Sequence, residues 1–193
     1  MEKQRIAIFA SGGGSNALKL LNHFEEIEDI QIELLLTNNE NAGILNKLNE
    51  RVPHMVINNE AAKDGLFLTQ TLQSLGIDYI VLAGYLRKIP IDLIRAYPTQ
   101  IINIHPALLP KYGGKGMYGM HVHEAVYKNK ETSSGITIHL VDEIYDNGQT
   151  LAQITTPIEQ GDTPSEIQQK VLKIEHQYYA KVVEEYIRSQ HDS

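Results

Sequence analysis

Short, almost unbroken apolar runs recur along the chain, each separated from the next by a segment of helical spacing. They read RIAIFA (5–10), IQIELLLT (30–37), PHMVIN (53–58), DYIVLAG (78–84) and QIINI (100–104). After the first, Ala17, Leu20, Leu21, Phe24 and Ile27 fall on one helical face; after the third, Leu66, Leu68, Leu72 and Leu75 do the same. Further helices are expected over 41–50 and about 91–97. Strands that lack polar alternation are strands covered on both faces. The order therefore predicts an α/β chain: a Rossmann-like, doubly wound, mostly parallel sheet with helices on both faces.

Beyond residue 130 the pattern changes. SGITIHLV (134–141) alternates, and TLAQITTPI (150–158) follows after Asp146-Asn147-Gly148, a strong turn signal. This pair is expected as an antiparallel addition to the sheet near the C-terminus. Thr163, Pro164 and Glu166 then supply an N-cap, a first-turn proline and a capping box for a last helix. No repeat or linker divides residues 1–193, so a single domain is expected.

Composition removes several classes of function. There is no cysteine, which excludes disulfides, thiolate nucleophiles and cysteine-ligated zinc. The net charge of −7 with no Lys/Arg run argues against a nucleic-acid partner. No run is long enough to span a membrane, and residues 1–10 lack a signal-peptide pattern, so a cytoplasmic protein is expected. A small anionic ligand remains compatible, since a helix N-terminus binds phosphate without net positive charge.

The glycine loop SGGGSN (11–16) offers such an end. Gly12, Gly14 and Ala17 satisfy G-x-G-x-x-A after the first strand. The dinucleotide reading also needs a carboxylate at the end of the second strand. That strand ends Leu36-Thr37-Asn38-Asn39, with no acid before Glu40, and a P-loop fails for want of Gly-Lys-Ser/Thr. Backbone N–H groups freed by the glycines, joined by Ser15 and Asn16, fit a phosphate. A tight turn with Ser15 as helix cap is the alternative.

Ligands of doubly wound sheets sit outside the carboxyl ends of the strands. The fifth strand ends in Asn103 and His105, two apart and so on one face. An amide beside an imidazole suits oxyanion stabilisation with proton transfer. Read alone, a histidine before Pro106 is more often a hydrogen-bonded structural residue, and Asp146 more often a turn former. Acidic residues 142, 143 and 146 match no calcium loop, and His121 with His123 lacks a third ligand, so no metal is expected.

IAIFASGGGSN, LAGYLRKI, NIHPALLPKY, SGITIHLVDEIYDNGQTLAQ and EHQYY stand in an order and spacing that resemble the phosphoribosylglycinamide formyltransferase family, the folate-dependent formyltransferases of purine synthesis. The resemblance spans almost the whole chain. HPALLP and the Asp146 segment are shared by the wider formyl-folate family, whereas SGGGSN discriminates within it.

The resemblance implies an enzyme that moves the formyl group of 10-formyltetrahydrofolate, a co-substrate, to the amine of glycinamide ribonucleotide. It implies Asn103, His105 and Asp146 as the catalytic trio, and Gly14, Ser15 and Asn16 as the phosphate loop. Glu175 becomes a nucleotide-binding carboxylate, and Leu86, Arg87, Lys88 and Ile89, with Asn103, the folate contact. A monomer or homodimer with small-molecule partners only follows, with no nucleic acid and no membrane. Two departures stand out: GGKGMYGM (113–120) is longer than in short bacterial forms and is read as a lid, and only Lys63 is offered where the family has a basic folate-side residue. The rivals are methionyl-tRNA formyltransferase, a formyltetrahydrofolate hydrolase, and a non-catalytic nucleotide-binding module.

Overall fold

Every residue from Ile6 to Ala10 is fully buried, as a strand covered on both faces requires. The computed structural model describes residues 3–191. Its strands are β1 (Gln4–Phe9), β2 (Ile30–Thr37), β3 (His54–Val56), β4 (Tyr79–Leu82), β5 (Ile101–His105), β6 (Ser133–Leu140) and β7 (Thr150–Pro157). Its helices are α1 (Ser15–Phe24), α2 (Gly65–Ser74), α3 (Ile91–Ala96), α4 (Met120–Lys128) and α5 (Pro164–His191). The strands form one seven-stranded sheet in the order β3-β2-β1-β4-β5-β6-β7. Pairs β1/β2, β1/β4 and β2/β3 are parallel and β6/β7 is antiparallel, which is the expected mostly parallel sheet with its antiparallel addition.

The described residues fall into two compact units that divide between Ile102 and Asn103. In the first, β1 carries β2 on one side and β4 on the other. Helix α1 buries Ala17, Leu20, Leu21 and Phe24, the stripe read from the sequence. Asp64 caps α2 by accepting the Phe67 N–H at 2.9 Å. Each of these fully buried Leu, Ile or Phe side chains contributes about 1.5–3 kcal/mol.

The expected helix over 41–50 does not form. Only a single 3₁₀ turn, Leu45–Lys47, stands there, and Asn49 and Glu50 have φ of 48° and 61°, which no right-handed helix accepts. The segment serves another surface: Gly43 backs onto Gly13, and the Ile44 N–H donates to the Gly12 carbonyl at 3.3 Å.

In the second unit β6 is buried from Ser134 to Leu140 and pairs in register with β7 from Ser133↔Pro157 to Ile138↔Ala152. The next pair is His139↔Thr150, so Leu151 is an extra residue on β7, a bulge beside His139. Asn147-Gly148 is not a two-residue hairpin turn as its sequence signal implied; residues 141–149 form a longer loop. Gly148 is needed because a Cβ there would strike the Leu140 carbonyl. Helix α5 begins with the expected capping box: the Thr163 N–H donates to Glu166 at 2.8 Å, and Thr163 Oγ1 accepts the Glu166 N–H at 3.3 Å. It buries Ile167, Val171, Tyr179, Val183 and Ile187 against α4, β6 and β7. Among the described residues no helix is long and apolar enough to cross a membrane.

Candidate active site

In the first unit, the glycine loop turns its carbonyls one way. Gly12 C=O takes the Ile44 N–H, and Gly13 C=O takes the Lys47 ammonium at 2.9 Å. A trans peptide holds C=O and the following N–H on opposite sides. The N–H groups of Gly13 and Gly14 therefore face away from residues 44–47. Gly14 is the N-cap of α1 with φ +69°, and a Cβ on it would run into the buried Ile44 side chain. The first N–H donors of α1, from Ser15 and Asn16, have no carbonyl within the helix. N–H groups placed at a helix start in this way are of the kind that can accept an anion.

Ser11 ties this loop to its neighbours. Its hydroxyl donates to Asn38 Oδ1 at 2.7 Å and accepts the Leu86 N–H at 3.0 Å, while its own N–H donates to Gly84 C=O at 3.1 Å. The strand-four exit, Leu86–Ile89, is thus hydrogen-bonded to the foot of the glycine loop. Leu86, Arg87 and Lys88 are exposed there, whereas Ile89 is buried and offers a ligand only backbone. Lys63 ends a 3₁₀ turn, Ala61–Lys63, with its residue exposed.

The second unit gathers the other candidates around one carboxylate. Asp146 Oδ2 lies 3.7 Å from His105 Nδ1 and accepts the Gly114 N–H at 2.7 Å; its Oδ1 lies 3.7 Å from His139 Nε2. His105 Nε2 donates to the Tyr112 carbonyl at 2.7 Å. Asn103 Nδ2 lies 3.1 Å from His139 Nε2. Asp146 thus stands between His105 and His139, and His139 between Asp146 and Asn103. Asp146 is held at φ +53°, a left-handed position that Asp and Asn tolerate better than most residues.

The segment after β5 is clamped from beneath. Thr137 Oγ1 donates to Ala107 C=O at 2.7 Å and accepts the Leu109 N–H at 3.0 Å, and Gln153 Nε2 donates to Leu109 C=O at 3.0 Å. Tyr112 OH donates to Glu131 at 2.9 Å, and Lys111 Nζ pairs with the same oxygen at 3.0 Å. These bonds fix the carbonyl that His105 meets. Glu175, 8% exposed, lies on the buried face of α5.

Two buried histidines stand beyond what the sequence reading placed: His139, which no motif marks, and His123, a zinc candidate without a helix of its own. His139 is the penultimate residue of β6, in a run that alternates in sequence, where a buried histidine looks like any polar residue on the hidden face. The bulge and the contact with Asn103 mark its place, and both are long-range. His123, which with His121 offers too few ligands for zinc, lies on α4, a helix the sequence did not announce. Among the described residues no group of three or more His, Cys, Asp or Glu could hold a metal.

Burial holds His139 below its usual value, against the opposing pull of the Leu140 carbonyl and Asp146. Burial, with His105 nearby, pushes His123 down to about 4. Between pH 6.5 and about 4 the unfolded chain binds a proton at His123 that the native fold refuses. The native contribution is complete above pH 6.5 and is lost as pH falls towards 4. Up to roughly 2–3 kcal/mol is at stake. Denaturant titrations at intervals from pH 7 to 4 should show a steeper fall for the parent than for His123→Leu; parallel curves would dismiss the effect.

A sheet of this order, with a glycine loop after β1 and an Asn-x-His pair at the end of β5, defines a class. The chain belongs to the formyl transferase family, whose model matches residues 4–183. Within that family it is 41% identical over 191 residues to the chloroplastic phosphoribosylglycinamide formyltransferase of Arabidopsis thaliana, covering 94% of this chain and 64% of that one. It is 33% identical over 189 residues to phosphoribosylglycinamide formyltransferase of Bacillus subtilis, covering 94% of each. The chain thus spans less than two thirds of the plant relatives, 64% and 61% in two cases. The crystal structure of phosphoribosylglycinamide formyltransferase from Brucella melitensis superposes with a TM-score of 0.85 at 32% identity, covering 96% of each chain.

Proposed function

We propose that the chain transfers the formyl group of 10-formyltetrahydrofolate to the primary amine of glycinamide ribonucleotide. The observation that carries this reading is the grouping of Asn103, His105 and Asp146: buried His105 faces the half-buried Asp146 carboxylate at 3.7 Å, and the half-buried Asn103 amide meets His139, the carboxylate's other imidazole neighbour, at 3.1 Å. The relatives' name, phosphoribosylglycinamide formyltransferase, supports the acceptor.

In this reading the neutral amine attacks the formyl carbon and a C–N bond forms. The carbonyl electrons move to oxygen, giving a tetrahedral oxyanion. Asn103 Nδ2 donates to that oxygen, and His105 in its protonated form supplies positive charge beside it. His105 Nε2 donates to the Tyr112 carbonyl, and its Nδ1 faces the Asp146 carboxylate at 3.7 Å, near enough for charge attraction and too far for a direct hydrogen bond. Asp146 orients the ring and carries the proton leaving the amine. Collapse of the oxyanion breaks the bond to the folate nitrogen, which receives that proton.

Gly14, Ser15 and Asn16 hold the ribose phosphate through the turn described above, and Glu175 binds the nucleotide. Leu86, Arg87 and Lys88, with the backbone at Ile89, contact the folate. The loop 113–120 closes over the reaction, its root joined to Asp146 by the Gly114 N–H.

One assay tests the reading: incubate the protein with 10-formyltetrahydrofolate and follow formyl transfer to glycinamide ribonucleotide, to methionine on tRNA, or to water. Transfer to the ribonucleotide is expected. Transfer to methionyl-tRNA or to water alone would overturn the substrate, and folate binding without turnover would overturn the reaction.

A further inference from the structure

We propose that His139 is a positioning residue for Asn103, fixing which end of the amide meets the reacting oxygen. The inference rests on the formyl-transfer reading above. It starts from the other face of the imidazole: His139 Nδ1 lies 2.8 Å from the Leu140 carbonyl. A carbonyl only accepts, so Nδ1 carries the proton. In the neutral ring, the form that 2% exposure favours, Nε2 is then a bare lone pair.

That lone pair faces Asn103 Nδ2 at 3.1 Å and accepts one of its two hydrogens. The amide is thereby held one way round, with its second Nδ2–H free for the formyl oxygen. Without this acceptor the two ends of the amide become interchangeable. In the reversed orientation Oδ1 stands where the donor stood and repels a developing oxyanion. Asp146 Oδ1 lies 3.7 Å from Nε2, outside hydrogen-bond reach, and burial, with His105, outweighs the pull of Leu140, Asp146 and Asp142 towards a charged ring. The β7 bulge at Leu151 lies beside the ring, and such irregularities re-aim side chains at sites of this kind.

The experiment is a double-mutant cycle of His139→Phe and Asn103→Ala, read by formyl transfer in a wild-type protein already shown to be active. His139→Phe alone should lower kcat by roughly ten- to a hundredfold, less than deletion of the donor itself, with KM for both substrates little changed. The double variant should be no slower than Asn103→Ala, because His139 acts through that amide. His139→Gln, which restores an acceptor, should recover part of the loss. Independent losses that multiply, or a loss confined to KM, would overturn the proposal. Should His139→Phe fail to fold, ¹⁵N NMR of the wild-type imidazole decides: a proton on Nδ1 and none on Nε2 is expected, and a proton on Nε2 at neutral pH overturns it. If the wild-type protein transfers no formyl group, the functional reading fails instead, and the NMR result still tests the tautomer by itself.

Discussion

Asp146→Asn should abolish nearly all formyl transfer while leaving nucleotide binding intact. The substitution is nearly isosteric, and asparagine accepts the left-handed backbone at φ +53° as readily as aspartate, so the loop keeps its shape. The Gly114 N–H still needs an acceptor, which directs the remaining amide oxygen to the Oδ2 position, 3.7 Å from His105. The new NH₂ group then takes the place of Oδ1, facing the lone pair of His139. What disappears is the negative charge that steadies a protonated His105 and accepts the amine's proton. Loss of both functions should lower kcat by on the order of a thousandfold. Steady-state transfer kinetics beside calorimetric titration with glycinamide ribonucleotide would check this, and turnover within tenfold of the parent removes Asp146 from the mechanism.

Gly14→Ala should injure both fold and binding. Its backbone lies at φ +69° and ψ 26°, where an L side chain costs about 1–2 kcal/mol. The added methyl also meets Ile44, which is wholly buried and has no free space to enter. Together the loss should reach roughly 2–4 kcal/mol of stability. Moving Gly14 displaces the N–H groups of the turn, so affinity for the ribonucleotide should fall with it. Ser15→Ala is the control: an exposed hydroxyl is lost, the fold is undisturbed and binding alone weakens. Denaturation midpoints and titration of both variants would tell the two effects apart, and a Gly14→Ala protein as stable as its parent contradicts the crowding at Ile44.

Local patterns made most of this architecture legible. The apolar runs, the stripe on α1 and the capping box at Thr163 are properties of neighbouring residues, and each lies where the spacing put it. The helix expected over 41–50 failed for a long-range reason, because Gly43 and Ile44 pack against the glycine loop instead of continuing a helix. Asn103, His105 and Asp146 stood out in the sequence through the family resemblance, since a histidine before proline and an aspartate in a turn are unremarkable by themselves. His139 and the clamp of Thr137 and Gln153 on residues 107–109 were invisible, being contacts between segments far apart in the chain.

The extra residue at Leu151 has a bearing on how this protein can change over time. Chain length before it acts as a gauge: the Leu140 N–H meets Gln149 C=O at 2.9 Å, and Asp146 hangs from the loop between those two points. Removing one residue from β7 would regularise the strand pair and draw that loop along by about 3.3 Å. A displacement of that size breaks the hydrogen bonds that hold the loop, whose lengths vary by only a few tenths of an ångström. Side chains on the exposed face of β7 are therefore free to drift, whereas insertions and deletions within it are not.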